Sequence, residues 1–189
     1  TTIDTYGGIH IACNNAGVFA GGLLWEESLA DFRWQLDVNV WGVIHGIRTF
    51  VPIMKAQDTE CHLVNTASMA AVTAMPYSGI YHMTKHAVLA MSESLYHELS
   101  FHAPHVKVSV LCPQGVNTAM APRSLGDGQT DGIIEPEQLA QCVVDTIREE
   151  RFYALPHPEV EEYVRRKGDN IDRWLLGMQR LRKRSVNGS

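Results

Sequence analysis

Short apolar runs closed by turn-forming residues, with long helical periodicities between them, constrain this chain more than any other feature. Ile9-His10-Ile11-Ala12-Cys13 ends at the breakers Asn14-Asn15-Ala16-Gly17 and reads as a buried strand with its exit turn. Residues 29–57 carry Phe32, Leu36, Val40, Val43, Ile44, Ile47 and Val51 at helical spacing. Pro52 within that stretch predicts a kink or an early end. Residues 61–67 form a second apolar strand, and 106–112 a third, closed by Pro113. Between them, 78–101 reads as a second long helix, with Ala87, Met91, Leu95 and Leu99 at steps of four. Pro136 opens a short amphipathic helix, where a missing N–H costs little, and 152–155 reads as a fourth strand. Strands separated by helices imply right-handed crossovers, hence an α/β fold with a parallel sheet and helices on both faces.

Composition narrows what such a fold does. The chain has 189 residues, 45% of them hydrophobic, enough for one domain with a sizeable core. A net charge of −5 argues against a non-specific nucleic-acid binder. The longest apolar runs fall far short of the ~18 residues a membrane span needs, so no membrane partner is expected. Cys13, Cys61, Cys112 and Cys142 are scattered without a C-x-x-C pair, and no basic, apolar leader opens the sequence, which begins Thr1-Thr2-Ile3-Asp4 without Met. A cytoplasmic location is therefore expected. Residues 123–132 are rich in Gly, Asp, Ser and Thr and read as a loop. The last 39 residues differ in character, with nine Lys/Arg against five Asp/Glu. We therefore divide the chain into a body over 1–155 and a basic, amphipathic helical tail over 156–189. Its apolar stripe, with Val160, Ile171, Trp174 and Met178, predicts packing on this subunit or a neighbour. The cluster Arg180, Arg182, Lys183 and Arg184 also suits phosphate or membrane contact, or a frayed, solvated end.

Tyr81-His82-Met83-Thr84-Lys85 places a phenol and an ammonium four residues apart on one helix face. A phenol with an ordinary pKa of about 10 is a poor base at neutral pH. A nearby ammonium stabilises the phenolate and makes it a usable acid/base. By itself the pair reads equally as a surface Tyr beside a solvated Lys. Ser68 directly follows the second strand, at the sheet end where α/β folds bind ligands, though a Ser there also serves simply to cap a turn. Asn39 lies mid-helix in Asp37-Val38-Asn39-Val40-Trp41-Gly42, against its propensity and among apolar neighbours. Asn14-Asn15-Ala16-Gly17 combines small residues with two amides, which lets a ligand approach the backbone closely. His82 and His86 stand one helical turn apart, but no third ligand accompanies them and H-E-x-x-H is missing, so no metal site is expected.

Taken in this order, Asn14-Asn15-Ala16-Gly17, Asn39, Ser68, Tyr81 with Lys85, and Pro113 through Thr118 resemble the short-chain dehydrogenase/reductase family of compact, single-domain type. The resemblance runs to about residue 155. It implies a doubly wound, Rossmann-like α/β fold that binds NAD or NADP. The implied enzyme is an oxidoreductase interconverting a secondary alcohol and a carbonyl by hydride transfer. Tyr81 would be the general acid/base, with Ser68 holding the substrate oxygen. Lys85 would lower the Tyr81 pKa and hold the nicotinamide ribose, and Asn39 would hold a relay water. Asn15, Ala16 and Gly17 would line the adenosine side, and Val116 and Thr118 would contact the carboxamide and phosphates. By the same analogy residues 29–57 and 78–101 would build a homodimer or homotetramer. Met69, Met75 and Met120, with Phe19 and Leu24, would lie near the crevice mouth and suit an apolar small-molecule substrate, although such residues also simply fill cores. Residues 123–132 fall where the family carries a substrate lid.

The sequence departs from the family pattern twice. Gln114 stands where a glycine is usual, which implies either a relaxed backbone torsion or an amide reaching toward substrate. The Gly-rich phosphate turn, and the strand whose end separates NAD from NADP, precede Asn14 in the family, and only thirteen residues precede it here. We therefore expect the N-terminal strands to be missing from this sequence, leaving an apolar edge that makes residues 1–189 alone prone to aggregate. Two other functions stay open. An epimerase or dehydratase would use the same apparatus but usually a larger C-terminal part. A catalytically silent fragment or dinucleotide-binding module would fit the missing phosphate turn, but not the retained Asn39, Ser68, Tyr81 and Lys85.

Overall fold

The computed structural model describes residues 1–120 and 132–187. In chain order the elements are α1 (Thr2–Tyr6), β1 (Ile11–Asn14), α2 (Leu29–Leu36), a π-helical turn (Asp37–Trp41), α3 (Gly42–Gln57) and β2 (Cys61–Thr66). A 3₁₀ turn (Met69–Ala71) leads to α4 (Gly79–His102), β3 (Val106–Leu111), β4 (Gly115–Val116) and β5 (Ile133–Ile134). Then come α5 (Pro136–Arg148), β6 (Tyr153–Ala154), α6 (Glu159–Asp169) and α7 (Ile171–Asn187). The main sheet has the order β1-β2-β3-β6, with every pair parallel, so each crossover is a helical segment.

Side chains that alternate along a strand face opposite sides, and β2 is apolar or buried on both. Leu63 joins Val106, Val108, Met54, Leu95 and Leu99 beneath α3 and α4. Its neighbour Val64 joins Leu111 and Ala154 against Leu139, Val143 and Ile147 of α5. Helices therefore cover both faces of the sheet at β2 and β3. On β1, by contrast, Ile11 is 57% exposed and Cys13 is exposed.

The long helix predicted over 29–57 does not break at Pro52. It is interrupted at Asp37–Trp41, and α3 runs through Pro52 to Gln57. Pro52 lies on the exposed side, where the carbonyl it leaves without a helical partner can be met by water. The first strand starts two residues later than predicted. Gln57 holds Ile9 instead, accepting from its N–H (2.6 Å) and donating to its carbonyl (2.9 Å). The short α1 was not anticipated.

The tail packs on its own body. Val160 is fully buried, Trp174 is buried with its ring 6.0 Å from that of Tyr163, and Lys167 Nζ donates to the Val72 carbonyl at 2.9 Å. The side chains of Arg182, Lys183 and Arg184, and all but Gly132 of the loop predicted over 123–132, lie outside the described residues. Among the described residues no helix is long and apolar enough to cross a membrane.

Candidate active site

A cleft of about 2000 Å³ opens at the carboxyl ends of the sheet strands. It exceeds the ~300–1,000 Å³ of a typical small-ligand pocket, leaving room for a large ligand and a second, smaller one. Asn15, Ala16, Gly17, Ser68, Tyr81, Lys85, Val116 and Thr118 all line it. Asn39 does not. It is fully buried behind the cleft, where the π-helical turn carries it inward. Its Oδ1 accepts from the Val18 N–H at 2.8 Å, while its Nδ2 donates to the Val18 carbonyl (2.9 Å) and to Thr84 Oγ1 (3.0 Å). Asn39 thus joins the segment after Gly17 to α4 beside Lys85. A Cβ on Gly17 would sit 3.5 Å from both Asn39 Oδ1 and Lys85 Nζ.

Ser68 caps the 3₁₀ turn, its Oγ accepting from the Ala70 N–H at 3.1 Å and donating weakly to the Pro113 carbonyl at 3.4 Å. The capping role and the cleft position therefore coexist in one hydroxyl. Tyr81 stands in the first turn of α4, its ring edge-to-face with Phe19 at 5.3 Å. Burial pushes its phenol above the ordinary value, against a smaller opposing pull from a hydrogen bond with Ser68. The Lys85 ammonium lies 5.6 Å from the Tyr81 ring centroid and donates to the Thr66 carbonyl at 2.9 Å. It is only 3% exposed, and burial lowers its pKa to about 8. In this arrangement burial therefore sets the direction of the Tyr81 shift, and the pull that opposes it comes from Ser68.

Sequence reasoning weighed His82 only as a metal ligand and missed His157 altogether. His82 Nε2 accepts from the Met75 N–H (3.0 Å), which leaves Nδ1 to donate to the Ala70 carbonyl (2.9 Å). Both ring nitrogens are taken by backbone, and among the described residues no group of three potential metal ligands occurs. His157, 2% exposed, accepts from the Gln114 N–H at Nδ1 (3.1 Å) and donates from Nε2 to the Gly115 carbonyl (3.0 Å). It clamps the loop that leads to Val116. The only hint in the sequence is its position between Pro156 and Pro158. Gln114 itself is not in the left-handed region, so this loop uses no torsion reserved for glycine. Its Oε1 is buried without a partner among the described residues.

Residues 1–127 match the family model described as short chain dehydrogenase. The chain belongs to the short-chain dehydrogenase/reductase family. Within that family it is 36% identical over 178 residues to 1-deoxy-11-beta-hydroxypentalenate dehydrogenase of Streptomyces exfoliatus, covering 90% of this chain and 63% of the relative. It is 34% identical over 176 residues to 2,5-dichloro-2,5-cyclohexadiene-1,4-diol dehydrogenase of Sphingobium indicum, covering 93% of this chain and 62% of that one. The chain thus spans somewhat less than two-thirds of the length of these relatives. The fold superimposes with a TM-score of 0.81 on a short-chain dehydrogenase/reductase from Burkholderia phymatum crystallised with NAD. Identity there is 37%, over 90% of this chain and 69% of that one.

Proposed function

We propose that this short-chain dehydrogenase/reductase chain carries the proton-transfer half of a NAD(P)-dependent oxidoreductase that interconverts a secondary alcohol and a carbonyl. The observation that carries the reading is the meeting of Tyr81, Ser68 and Lys85 at one cleft, from α4 and the end of β2. The same reading assigns a small, largely apolar substrate, a cytoplasmic location and a homodimer or homotetramer; the dehydrogenase relatives support its substrate part.

The residues fit a nicotinamide dinucleotide. Lys85 is a buried ammonium with three donors and one acceptor, the Thr66 carbonyl, among the described residues. Its remaining N–H groups suit vicinal ribose hydroxyls, and Ala16 and Gly17 present almost no side chain beside it. When bound, the nicotinamide supplies or takes the hydride. In reduction, Tyr81 gives its proton to the carbonyl oxygen while Ser68 holds that oxygen by a hydrogen bond. In oxidation the proton returns to the phenolate, and the Lys85 charge favours that anion against the burial that disfavours it. Asn39 keeps α4 and the Gly17 segment in register, and Val116 and Thr118 offer contacts to the carboxamide and phosphates. The relatives' dehydrogenase names favour this reading over an epimerase or dehydratase. Mixing the protein with NAD or NADP and a panel of cyclic secondary alcohols tests it: reduced nicotinamide should accumulate with one dinucleotide. Binding of either dinucleotide without any turnover would favour the silent binding module instead.

A further inference from the structure

The oxidoreductase reading leaves the substrate's chemistry open, and the rim of the cleft narrows it. Arg166 of α6 and Arg173 and Arg180 of α7 all line the cleft. No ion pair or side-chain hydrogen bond engages these three guanidiniums among the described residues. Among the described residues the rim has two carboxylates, Glu162 and Asp169, and both are engaged. Arg165 donates to Glu162 through Nε (2.9 Å) and Nη2 (2.7 Å), and its Nη1 lies 3.6 Å from Asp169. The rim therefore keeps an excess of positive charge facing an otherwise apolar cleft, whose walls include Phe19, Met69, Met75, Trp174 and Met178.

Single unpaired arginines on a surface are ordinary. Three that line one cleft, beside a fourth that is shared between Glu162 and Asp169, set four guanidiniums against two carboxylates among the described residues and make an anion-receiving rim. Their place in the fold separates substrate from dinucleotide. Lys167, next to Arg166, is bonded to the Val72 carbonyl, so α6 is tied to the wall that begins at Ser68. The Asn15–Gly17 segment belongs to the end of β1 instead.

We propose that the substrate is an apolar alcohol or ketone bearing a carboxylate, which Arg166, Arg173 and Arg180 receive while the reacting oxygen lies between Ser68 and Tyr81. This rests on the oxidoreductase reading. Guanidinium and carboxylate pair through two parallel hydrogen bonds, so the rim fixes which hydroxyl of a ring reaches Tyr81. The test compares hydroxycyclohexanecarboxylates with their methyl esters, using the protein loaded with its dinucleotide. The acid should be preferred by about tenfold in kcat/KM, mostly through KM, and less so at high salt. In Arg166→Gln and Arg173→Gln that preference should fall several-fold, with Arg173→Lys retaining part of it. Equal use of acid and ester by the unsubstituted protein overturns the proposal. So does a loss of NADH affinity in the variants with the acid preference intact, because the guanidiniums would then serve the dinucleotide phosphates. If both probes are inert, the oxidoreductase reading has failed, and equilibrium binding of cyclohexanecarboxylate decides the rim separately. Weaker binding in the triple Gln variant supports the anion site, and equal binding overturns it.

Discussion

Burial and charge compete at single residues of the cleft wall. Burial raises the Tyr81 pKa and lowers that of Lys85, so in the proposed acid/base pair burial favours the neutral form of each group. His82 shows the same physics in a supporting role. Its Nε2 accepts the Met75 N–H, so a proton there would set two donors against each other, and burial lowers its pKa from the ordinary 6.5. The folded protein therefore binds this proton less readily than the unfolded chain. The stability it contributes is complete above about pH 6.5 and is lost as pH falls through the lower folded value. Urea midpoints should drop between pH 7 and pH 5, and drop less in His82→Gln. Parallel losses in both proteins would remove His82 from the account. Tyr81, Lys85 and Ser68 were legible in the sequence because their relation is local, one helical turn or one strand end. His157 was not, because its partners Gln114 and Gly115 lie more than forty residues away and only the fold brings them to it.

Elements were legible where period and punctuation agreed, as in α5 with Pro136 in its first turn and a capping box between Glu135 and Gln138. They were misread at 29–57, where an extra residue per turn at Asp37–Trp41 leaves the apolar spacing almost intact while rotating Asn39 inward. No residue type announces such a turn, whereas Pro52 announces a break that solvent exposure makes unnecessary. The packing of α3 on β1 carries its own test. A Cβ on Gly46 would collide with the Asn14 side-chain amide, and that amide is held by Asn65 Oδ1 at 2.8 Å. Asn65 in turn donates to Ser92 Oγ, so Asn14 cannot swing away without breaking a chain of hydrogen bonds. Gly46→Ala should cost about 1–3 kcal/mol of unfolding free energy in urea titration. An unchanged midpoint would show that α3 does not approach β1 this closely.

At the scale of the whole molecule, the parallel order β1-β2-β3-β6 sends every strand's carboxyl end to one side, and the site assembles there. Residues from the β1 exit, the β2 exit, α4 and the β3 exit meet because the crossovers leave them no other place. The family's motif order was readable for that reason, even though no single motif was specific. The tail's position was not readable, since an amphipathic stripe says that a helix packs without saying on what. It packs over the cleft and brings Arg166 and Arg173 to its rim. In the proposed reaction the cleft transfers a proton through Tyr81 while other groups hold the dinucleotide. Replacing Tyr81 by Phe removes one oxygen and leaves the ring against Phe19. The decisive measurement is turnover of Tyr81→Phe beside its NADH or NADPH affinity, with an expected loss of at least about 10²-fold in kcat and affinity nearly preserved. Undiminished turnover in that variant would contradict it.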